Sequence, residues 1–446
     1  MKKIALLSTL LTVAMLGQAQ YDNIKNKLLI PTIKSIEEAK ADVDKKMTNT
    51  KFASKAEAYI LKATIYGYLA ADSAYKADGK SAALQTEAEA AFAKYLEMDP
   101  SQDDVKDPVY RNAPINIYSN LFDQGYKLYE AKQYAESFGK FKEVATYSEL
   151  LGKHQLLSST VDTNTLILAA YTAEMAEQKD DAAKYYGKLA DAKVSGPNYE
   201  SVYRFLVTYN FQKKDMDNFE KYKALGAQLY PKSEYFTYDK VDFAVGLETD
   251  FNAKIAALDE QLKADPANYK ANMSMIELAF EALHSEKEDA PKPEDPKALE
   301  QKMITSLDKV IETKPEEELA YIIKGDHYIN LSIAADKKRE EHAADMRKRT
   351  KPGASASKED IAKRDKLDTE YAEIFDKARE PYEKACEIFA KKTELSANDK
   401  QQYKKASGYL GDIYQMKAAR SKGKPAEVTK NEALAKKWND LYGSIK

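Results

Sequence analysis

The side chains best able to do chemistry in this chain are few and scattered. The histidines are His154, His284, His327 and His342, and the single cysteine is Cys386. No histidine has a second histidine or a cysteine three or four residues away, the spacing that lets two ligands share a metal on one helix face. We therefore predict no metal site and no cofactor.

The sequence also lacks the motifs of common catalytic sites. It has no His-Glu-x-x-His pair, no Gly-rich loop for a phosphate and no Gly-x-Ser-x-Gly turn for a serine nucleophile. We expect His327 to be a partly buried structural imidazole, His154 to face solvent and Cys386 to fill a buried packing position. The protein is therefore predicted not to be an enzyme.

The elements that would position any site show a repeating pattern. In two segments a small residue is followed twelve positions later by a second small residue and then, after four more, by an aromatic: Gly125, Ser137 and Phe141, and Ala170, Ala182 and Tyr186. Small residues let two helices approach closely, and the aromatic fills the groove between them. A helix-hairpin pattern with a period of about 34 residues predicts a stack of helical hairpins.

A second recurring feature marks where these hairpins end. In three segments an apolar residue stands four positions before a proline: Leu96 and Pro100, Leu262 and Pro266, Ile311 and Pro315. Proline lacks the N–H that would extend a helix, so each helix should end just before it. Phe92, Leu258 and Leu307, one turn earlier, should lie on the same buried stripe.

These spacings resemble the tetratricopeptide repeat family. One copy fits most of the family scheme: Leu121, Gly125, Leu128, Tyr134, Ser137, Phe141 and Val144. Another copy has its first-helix positions at Tyr321, Gly325 and Tyr328. The matching second-helix positions follow much later in the chain, at Ala378, Tyr382 and Ala385. The resemblance implies an all-α, right-handed α-solenoid of about six to seven hairpins, interrupted by a charged helical insertion. The family binds peptides, proteins and sometimes glycans on one scaffold, so the fold does not name a partner.

The resemblance also implies which residues line the concave face of the solenoid. In the family these are first-helix positions one, five and eight residues past the bulky residue that opens the helix. Here they are Phe122, Tyr126 and Tyr129; Ile167, Tyr171 and Glu174; and Arg204, Thr208 and Phe211. Rings give contact area at small entropic cost, which suits an extended peptide or a partner helix. The alternative is that these rings only pack between repeats.

The first residues predict where the protein goes. Lys2 and Lys3 precede an apolar run at 4–16, and Gly17-Gln18-Ala19 supplies the small residues that signal peptidases read. Cleavage is expected after Ala19, and an uncleaved anchor is the alternative. No cysteine lies near that site for lipid attachment. We predict a periplasmic or secreted protein with no stable membrane insertion after cleavage.

The pattern divides the chain into six predicted segments. They are a signal peptide at 1–19, an N-terminal capping helix at 20–52, an N-terminal array of TPR-like hairpins at 53–265, central hairpins at 266–334, a charged insertion at 335–372 and C-terminal hairpins at 373–446. The insertion is rich in Lys and Arg, with a flexible tip expected at 351–357. It is either a basic arm for an anionic partner or, as we favour, a solvated helical hairpin whose acidic residues offset its charge.

Net charge argues against one class of partner. The formal charge of −3 becomes about −5 once Lys2 and Lys3 are removed, which gives no general attraction to nucleic acid. We therefore predict a non-catalytic periplasmic scaffold that binds a protein or peptide of the cell envelope. The alternative is a glycan-binding module of an outer-membrane nutrient-capture system. It is weaker because such modules look like lipoproteins with tryptophan platforms, and Trp438 is the one tryptophan here.

Overall fold

The computed structural model describes residues 20–349 and 356–445. Within those ranges the regular structure is helical and contains no β-strand, which confirms the all-α prediction. The predicted signal peptide at 1–19 and most of the predicted tip at 351–357 lie outside the described residues.

The chain divides into two compact units between Thr237 and Tyr238. In the first unit a short helical segment at 20–25 precedes eleven helices: α1 (Ile33–Met47), α2 (Thr50–Ala53), α3 (Ala56–Ala71), α4 (Ser73–Ala77), α5 (Ser81–Met98), α6 (Asn112–Glu130), α7 (Tyr134–Lys153), α8 (Thr163–Met175), α9 (Lys179–Asp191), α10 (Glu200–Gln212) and α11 (Met216–Leu229). Its hairpins are α3 with α5, α6 with α7, α8 with α9, and α10 with α11.

The second unit contains the remaining described helices: α12 (Lys240–Gly246), α13 (Phe251–Ala264), α14 (Tyr269–His284), α15 (Pro296–Thr313), α16 (Glu318–Arg349), α17 (Lys358–Lys377), α18 (Arg379–Lys391), α19 (Ala397–Arg420) and α20 (Pro425–Ser444). Its long hairpins are α14 with α15, α16 with α18, and α19 with α20, and the short α12 packs on α13. The seven long pairs agree with the predicted number of hairpins.

The small residues of the repeat pattern lie where two helices meet. A Cβ built on Gly125 would stand 3.2 Å from Cζ of Phe141 across the α6–α7 hairpin. Ser137 donates a hydrogen bond from Oγ to the carbonyl oxygen of Gly125 at 2.8 Å. The spacing read from the sequence is therefore a packing contact, with the aromatic ring seated against bare backbone.

The prolines end helices as predicted. Helices α5, α13 and α15 stop at Met98, Ala264 and Thr313, each two residues before a proline. Phe92, Leu258 and Leu307 are fully buried, which confirms the stripe that leads into each stop.

The charged insertion is built from extensions of repeat helices. Helix α16 is continuous for 32 residues and runs through position 335, while α17 runs through 372. Arg339 donates to Asp368 at 2.6 Å, and Arg349 donates to Asp360 at 2.8 Å, so ion pairs join the two helices. The predicted boundaries therefore fall inside helices, because hydrophilic residues continue the helix beyond the core.

Two other boundaries differ from the sequence prediction. The segment at 20–52 is not one helix: the chain leaves the helical path at 29–32, where Pro31 stands and Thr32 caps α1 by accepting a hydrogen bond from the Ser35 backbone N–H. The array predicted to continue to 265 is divided after Thr237, beyond the turn in which Phe236 packs against Gly226.

None of the helices in the described ranges combines the length and the apolar character needed to cross a lipid bilayer.

A close helix approach in the second unit yields a prediction about stability. A Cβ on Gly325 would lie 2.4 Å from Cε1 of Tyr382, whose buried ring is held by a hydrogen bond from its hydroxyl to Asp326 at 2.7 Å. Replacing Gly325 with Ala should lower the free energy of unfolding by about 1–3 kcal/mol, because the ring has no room to move. Urea unfolding followed by the fluorescence of Trp438 measures this.

The matched control is Gly443→Ala in the same unit, where no heavy atom lies within 4 Å of the added Cβ. This change should be neutral or stabilising by about 0.5–1 kcal/mol, since alanine favours the helix. Equal effects of the two substitutions would contradict the packing argument.

Candidate functional site

Five aromatic side chains of the first unit form a continuous cluster, here called the aromatic surface. It comprises Phe122, Tyr126 and Tyr129 of α6, Tyr134 at the start of α7, and Tyr171 of α8. The rings of Phe122 and Tyr126 stack in parallel at 6.5 Å, and Tyr126 lies 5.7 Å from Tyr129. Tyr171 meets Tyr129 at 5.9 Å and Tyr134 at 6.2 Å, both edge to face. The surface therefore spans two consecutive hairpins.

The outer rings of this surface face solvent. Tyr126 is 42% exposed and Tyr171 is 37% exposed, although both carry large aromatic side chains. Elsewhere tyrosine hydroxyls commonly donate to a carboxylate, as Tyr110 does to Glu57 at 2.8 Å. In the described residues, no carboxylate or carbonyl accepts a hydrogen bond from Tyr126 or Tyr129. Their hydroxyls remain available as donors to a bound molecule.

The pKa of Tyr171 reflects its position at the junction of two hairpins. Burial raises this pKa first, and the neighbouring Tyr134 and Tyr129 add to the effect. The hydroxyl is therefore protonated at neutral pH and can donate a hydrogen bond.

Glu174 and Phe211 engage neighbours of their own. The hydroxyl of Tyr186 donates to the Glu174 carboxylate at 2.7 Å, so this predicted surface charge is already hydrogen-bonded across the α8–α9 hairpin. Phe211 packs against buried Phe219 at 5.6 Å, within the next hairpin. Ile167, the first α8 residue of the predicted face, is half-buried.

Arg204 and Thr208 contact the turn that follows α11. The Arg204 guanidinium lies 4.9 Å from the centre of the Tyr235 ring and donates to Glu200 at 2.6 Å. Thr208 shares a hydrogen bond of 2.5 Å with the Tyr235 hydroxyl. Of the nine residues predicted for the concave face, the structure therefore joins Phe122, Tyr126, Tyr129 and Tyr171 into one surface. The ring contacts that define this surface do not include the other five: Ile167, Glu174, Arg204, Thr208 and Phe211.

Tyr134 was not among the residues predicted for the concave face. It follows a tight turn in which Lys132 adopts a positive φ of 59°, and that turn sets the first residue of α7 beside α6. The family scheme includes Tyr134 as a repeat position. It places surface residues on the first helix of each hairpin, and Tyr134 begins the second helix.

Asp162 positions the helix that carries Tyr171. Its carboxylate accepts hydrogen bonds from the Tyr118 hydroxyl at 2.8 Å, from Ser148 Oγ at 2.9 Å and from the Thr165 backbone N–H at 3.1 Å. One side chain thus caps α8 and ties it to α6 and α7. The ring of Tyr118 in turn lies 6.2 Å from Phe122, so the same contact supports the edge of the aromatic surface.

The histidines and the cysteine are buried or half-buried. In the ranges that the structure covers, no group of His, Cys, Asp and Glu could hold a metal ion. Cys386 is buried, as predicted, and burial raises its pKa to about 12. His154 is half-buried, with Nε2 at 3.0 Å from Gln102 Oε1, and so is less exposed than predicted. His327 is fully buried and hydrogen-bonded to His284, a contact that the sequence did not reveal.

Paired charges also line a cleft in the second unit. A cleft of about 480 Å³ in the second unit is lined by Lys324, Asp376 and Arg379 among others. Lys324 pairs with Asp308 at 2.6 Å, and Arg379 pairs with Asp376 at 3.2 Å. These side chains stabilise the helix packing around the cleft.

Comparisons with known proteins add little to this geometry. No protein-family model matches the chain, and no curated protein matches it. Among solved structures it is similar to a human IFIT1 dimer with m7Gppp-AAAA, at 14% identity over 92% of this chain and 78% of that chain, with a TM-score of 0.16. It is also similar to a chain of Naa15/Naa10 bound to HypK-THB, at 13% identity over 98% and 76%, with a TM-score of 0.15. Scores this low carry no argument about function, so the helical-hairpin fold rests on the packing described above.

The role of Asp162 gives a testable expectation. Asp162→Ala removes a helix cap and leaves the Tyr118 and Ser148 hydroxyls without their acceptor, so the free energy of unfolding should fall by about 3 kcal/mol. Thermal unfolding followed by circular dichroism measures the loss.

Asp215→Ala is the matched control in the same unit. Asp215 caps α11 from an exposed position and hydrogen-bonds only within its own first turn, to Asn218. Its loss should cost about 1 kcal/mol, the usual value for a cap. If the two variants lost the same stability, Asp162 would be an ordinary cap.

Proposed function

We propose that this chain is a non-catalytic binding scaffold whose aromatic surface contacts a protein or peptide partner. The observation that carries the proposal is the exposure of Tyr126 and Tyr171 on two adjacent hairpins, where the hydroxyls of Tyr126 and Tyr129 have no acceptor among the residues that the structure describes. Side chains that serve only to stabilise a helical stack are normally withdrawn from water, whereas these rings remain at its edge.

The chemistry of this surface suits a polypeptide. Rigid rings supply contact area with little loss of side-chain entropy, which is why tyrosine is frequent at binding hot spots. The hydroxyls can donate to main-chain carbonyl groups, which every peptide presents regardless of sequence. The carboxylate of Glu174 accepts a hydrogen bond from the Tyr186 hydroxyl, so one of its oxygens is already engaged within the α8–α9 hairpin.

The location of this activity is part of the proposal. The basic, apolar and small residues of 1–19 have the order of an export signal, which supports a periplasmic or secreted protein and a partner in the cell envelope. The negative net charge makes nucleic acid an unfavourable ligand. A glycan is the alternative ligand, and the single tryptophan, Trp438, is buried rather than displayed as a platform.

The double variant Tyr126→Ala with Tyr171→Ala tests the surface directly. Loss of two exposed hot-spot rings should weaken partner binding by about 30-fold, or about 2 kcal/mol, while helicity is retained because neither ring is buried. The measurement is chemical crosslinking and affinity recovery from an envelope fraction, quantified against the wild-type chain.

The control is Tyr442→Ala, since Tyr442 is also a large exposed ring, at 46%, but lies on α20 of the second unit. It should recover the same partners as the wild type. Equal recovery by all three proteins would overturn the aromatic surface as the binding site. Binding on a glycan array that depends on Tyr126 and Tyr171, without any recovered protein, would replace the proposal with the glycan alternative.

A further inference from the structure

Three buried or half-buried side chains in the second unit form a hydrogen-bonded chain across three helices. His284 ends α14, Glu300 lies on α15 and His327 lies on α16. Nε2 of His327 is 3.1 Å from Oε1 of Glu300, and Nδ1 of His327 is 2.8 Å from Nε2 of His284. His327 is 1% exposed, so its ring has no contact with bulk water. The binding proposal does not use any of these residues.

The acceptor at one end fixes the protons along the whole chain. A carboxylate can only accept, so Nε2 of His327 must carry the hydrogen that is donated to Glu300. Nδ1 of His327 is then the acceptor, and His284 must donate from Nε2. The remaining ring nitrogen of His284, Nδ1, holds a lone pair. Both rings are neutral in this arrangement, and each hydrogen bond has one donor.

The surroundings of the two rings are mostly apolar. The ring of Phe280 on α14 lies 4.8 Å from His284, edge to face, and the ring of Tyr328 on α16 lies 5.2 Å from His327. Lys377 on α17 is the cation that acts on His327, and its Nζ stands 5.8 Å from the Tyr328 ring. The other charges facing Tyr328 are Lys324 of α16 and Asp308 of α15, which pair with each other at 2.6 Å.

This arrangement accepts one proton more easily than two. A first proton on Nδ1 of His284 breaks neither hydrogen bond, and Glu300 compensates its charge through the chain. A second proton must enter Nδ1 of His327, which then ceases to be an acceptor. Two imidazolium rings would face each other in contact, with Lys377 adding to the repulsion. The buried ring can take that proton only if the helices separate.

We propose that His284, His327 and Glu300 form an acid-sensitive latch, which holds α14, α15 and α16 together near neutral pH and releases their junction when the medium becomes acidic.

The direction of titration agrees with this geometry. Burial, with a smaller contribution from the neighbouring His327, lowers the pKa of His284 to about 4. Burial also lowers the pKa of His327, which Glu300 partly opposes and Lys377 reinforces. An unfolded histidine titrates near about 6.5. Because the folded values lie below it, the latch contributes its full stability above about pH 6.5 and loses it as the pH falls toward 4.

Urea unfolding of the full chain at pH 7.5 and pH 5.0, followed by Trp438 fluorescence, tests the latch. Trp438 is the single tryptophan and is buried in the core of the same unit, so it reports the unit that contains the latch. Acidification should raise the unfolding constant of the wild type at least about tenfold more than that of the double variant His284→Gln with His327→Gln, which cannot take up the protons.

The control is His342→Gln. His342 is also a buried histidine of the second unit, at 6% exposure, but its Nε2 lies 3.1 Å from the Asp360 carbonyl, outside the latch. This variant should keep the pH response of the wild type. An equal response of the wild type and the double variant would overturn the proposal, as would its loss in the control.

Hydrogen exchange of the wild type gives a second readout if the double variant does not fold. Protection factors at pH 5.0, corrected for intrinsic rates, should fall selectively in peptides covering 278–303 and 321–330. Peptides covering 403–416 of α19 in the same unit should change less. Uniform loss over the unit would show that acid acts on its overall stability and would overturn the latch.

Discussion

The structure depends on how closely two helices of a hairpin can approach. Gly125 lies against Phe141, and Gly325 lies against Tyr382. In both places the aromatic ring fills the space that a side chain on the glycine would occupy. A ring seated on bare backbone buries its faces without leaving a cavity, and close packing of this kind is what gives a helical repeat a defined geometry. Two other features of the described residues, the aromatic surface and the histidine chain, carry the distinctive chemistry of the chain.

The aromatic surface and the histidine chain differ in their exposure to water. At the aromatic surface, rings from adjacent hairpins remain partly in water, and within the described part of the chain the hydroxyls of Tyr126 and Tyr129 have no acceptor. In the histidine chain, polar groups from three helices are removed from water and satisfy one another. The aromatic surface is compatible with a stable fold when no partner is bound, and the proposed partner would cover its exposed rings. The histidine chain stabilises the fold only while its protons keep one arrangement.

Periodic features of the chain were predictable from the sequence, and contacts between distant segments were not. Small residues, aromatics and prolines at regular spacing identified the hairpins and the ends of α5, α13 and α15. The pairing of His284 with His327 lies outside such patterns, because it joins residues 43 positions apart through tertiary packing. Arg204 and Thr208 were assigned to a surface by counting along their helix. Tyr235, which engages both, follows the next helix, and its approach depends on the path of the connecting turn.

Helix α16 has a mechanical consequence. It is unbroken from Glu318 to Arg349, about 48 Å at the usual rise per residue, and it contains both Gly325 and His327. An uninterrupted helix has no hinge, so a force applied near Arg349 would act on a stiff lever whose other end is embedded in the core. A partner that binds the charged insertion and pulls on it would thereby strain the packing of the Tyr382 ring against Gly325, far from the point of contact.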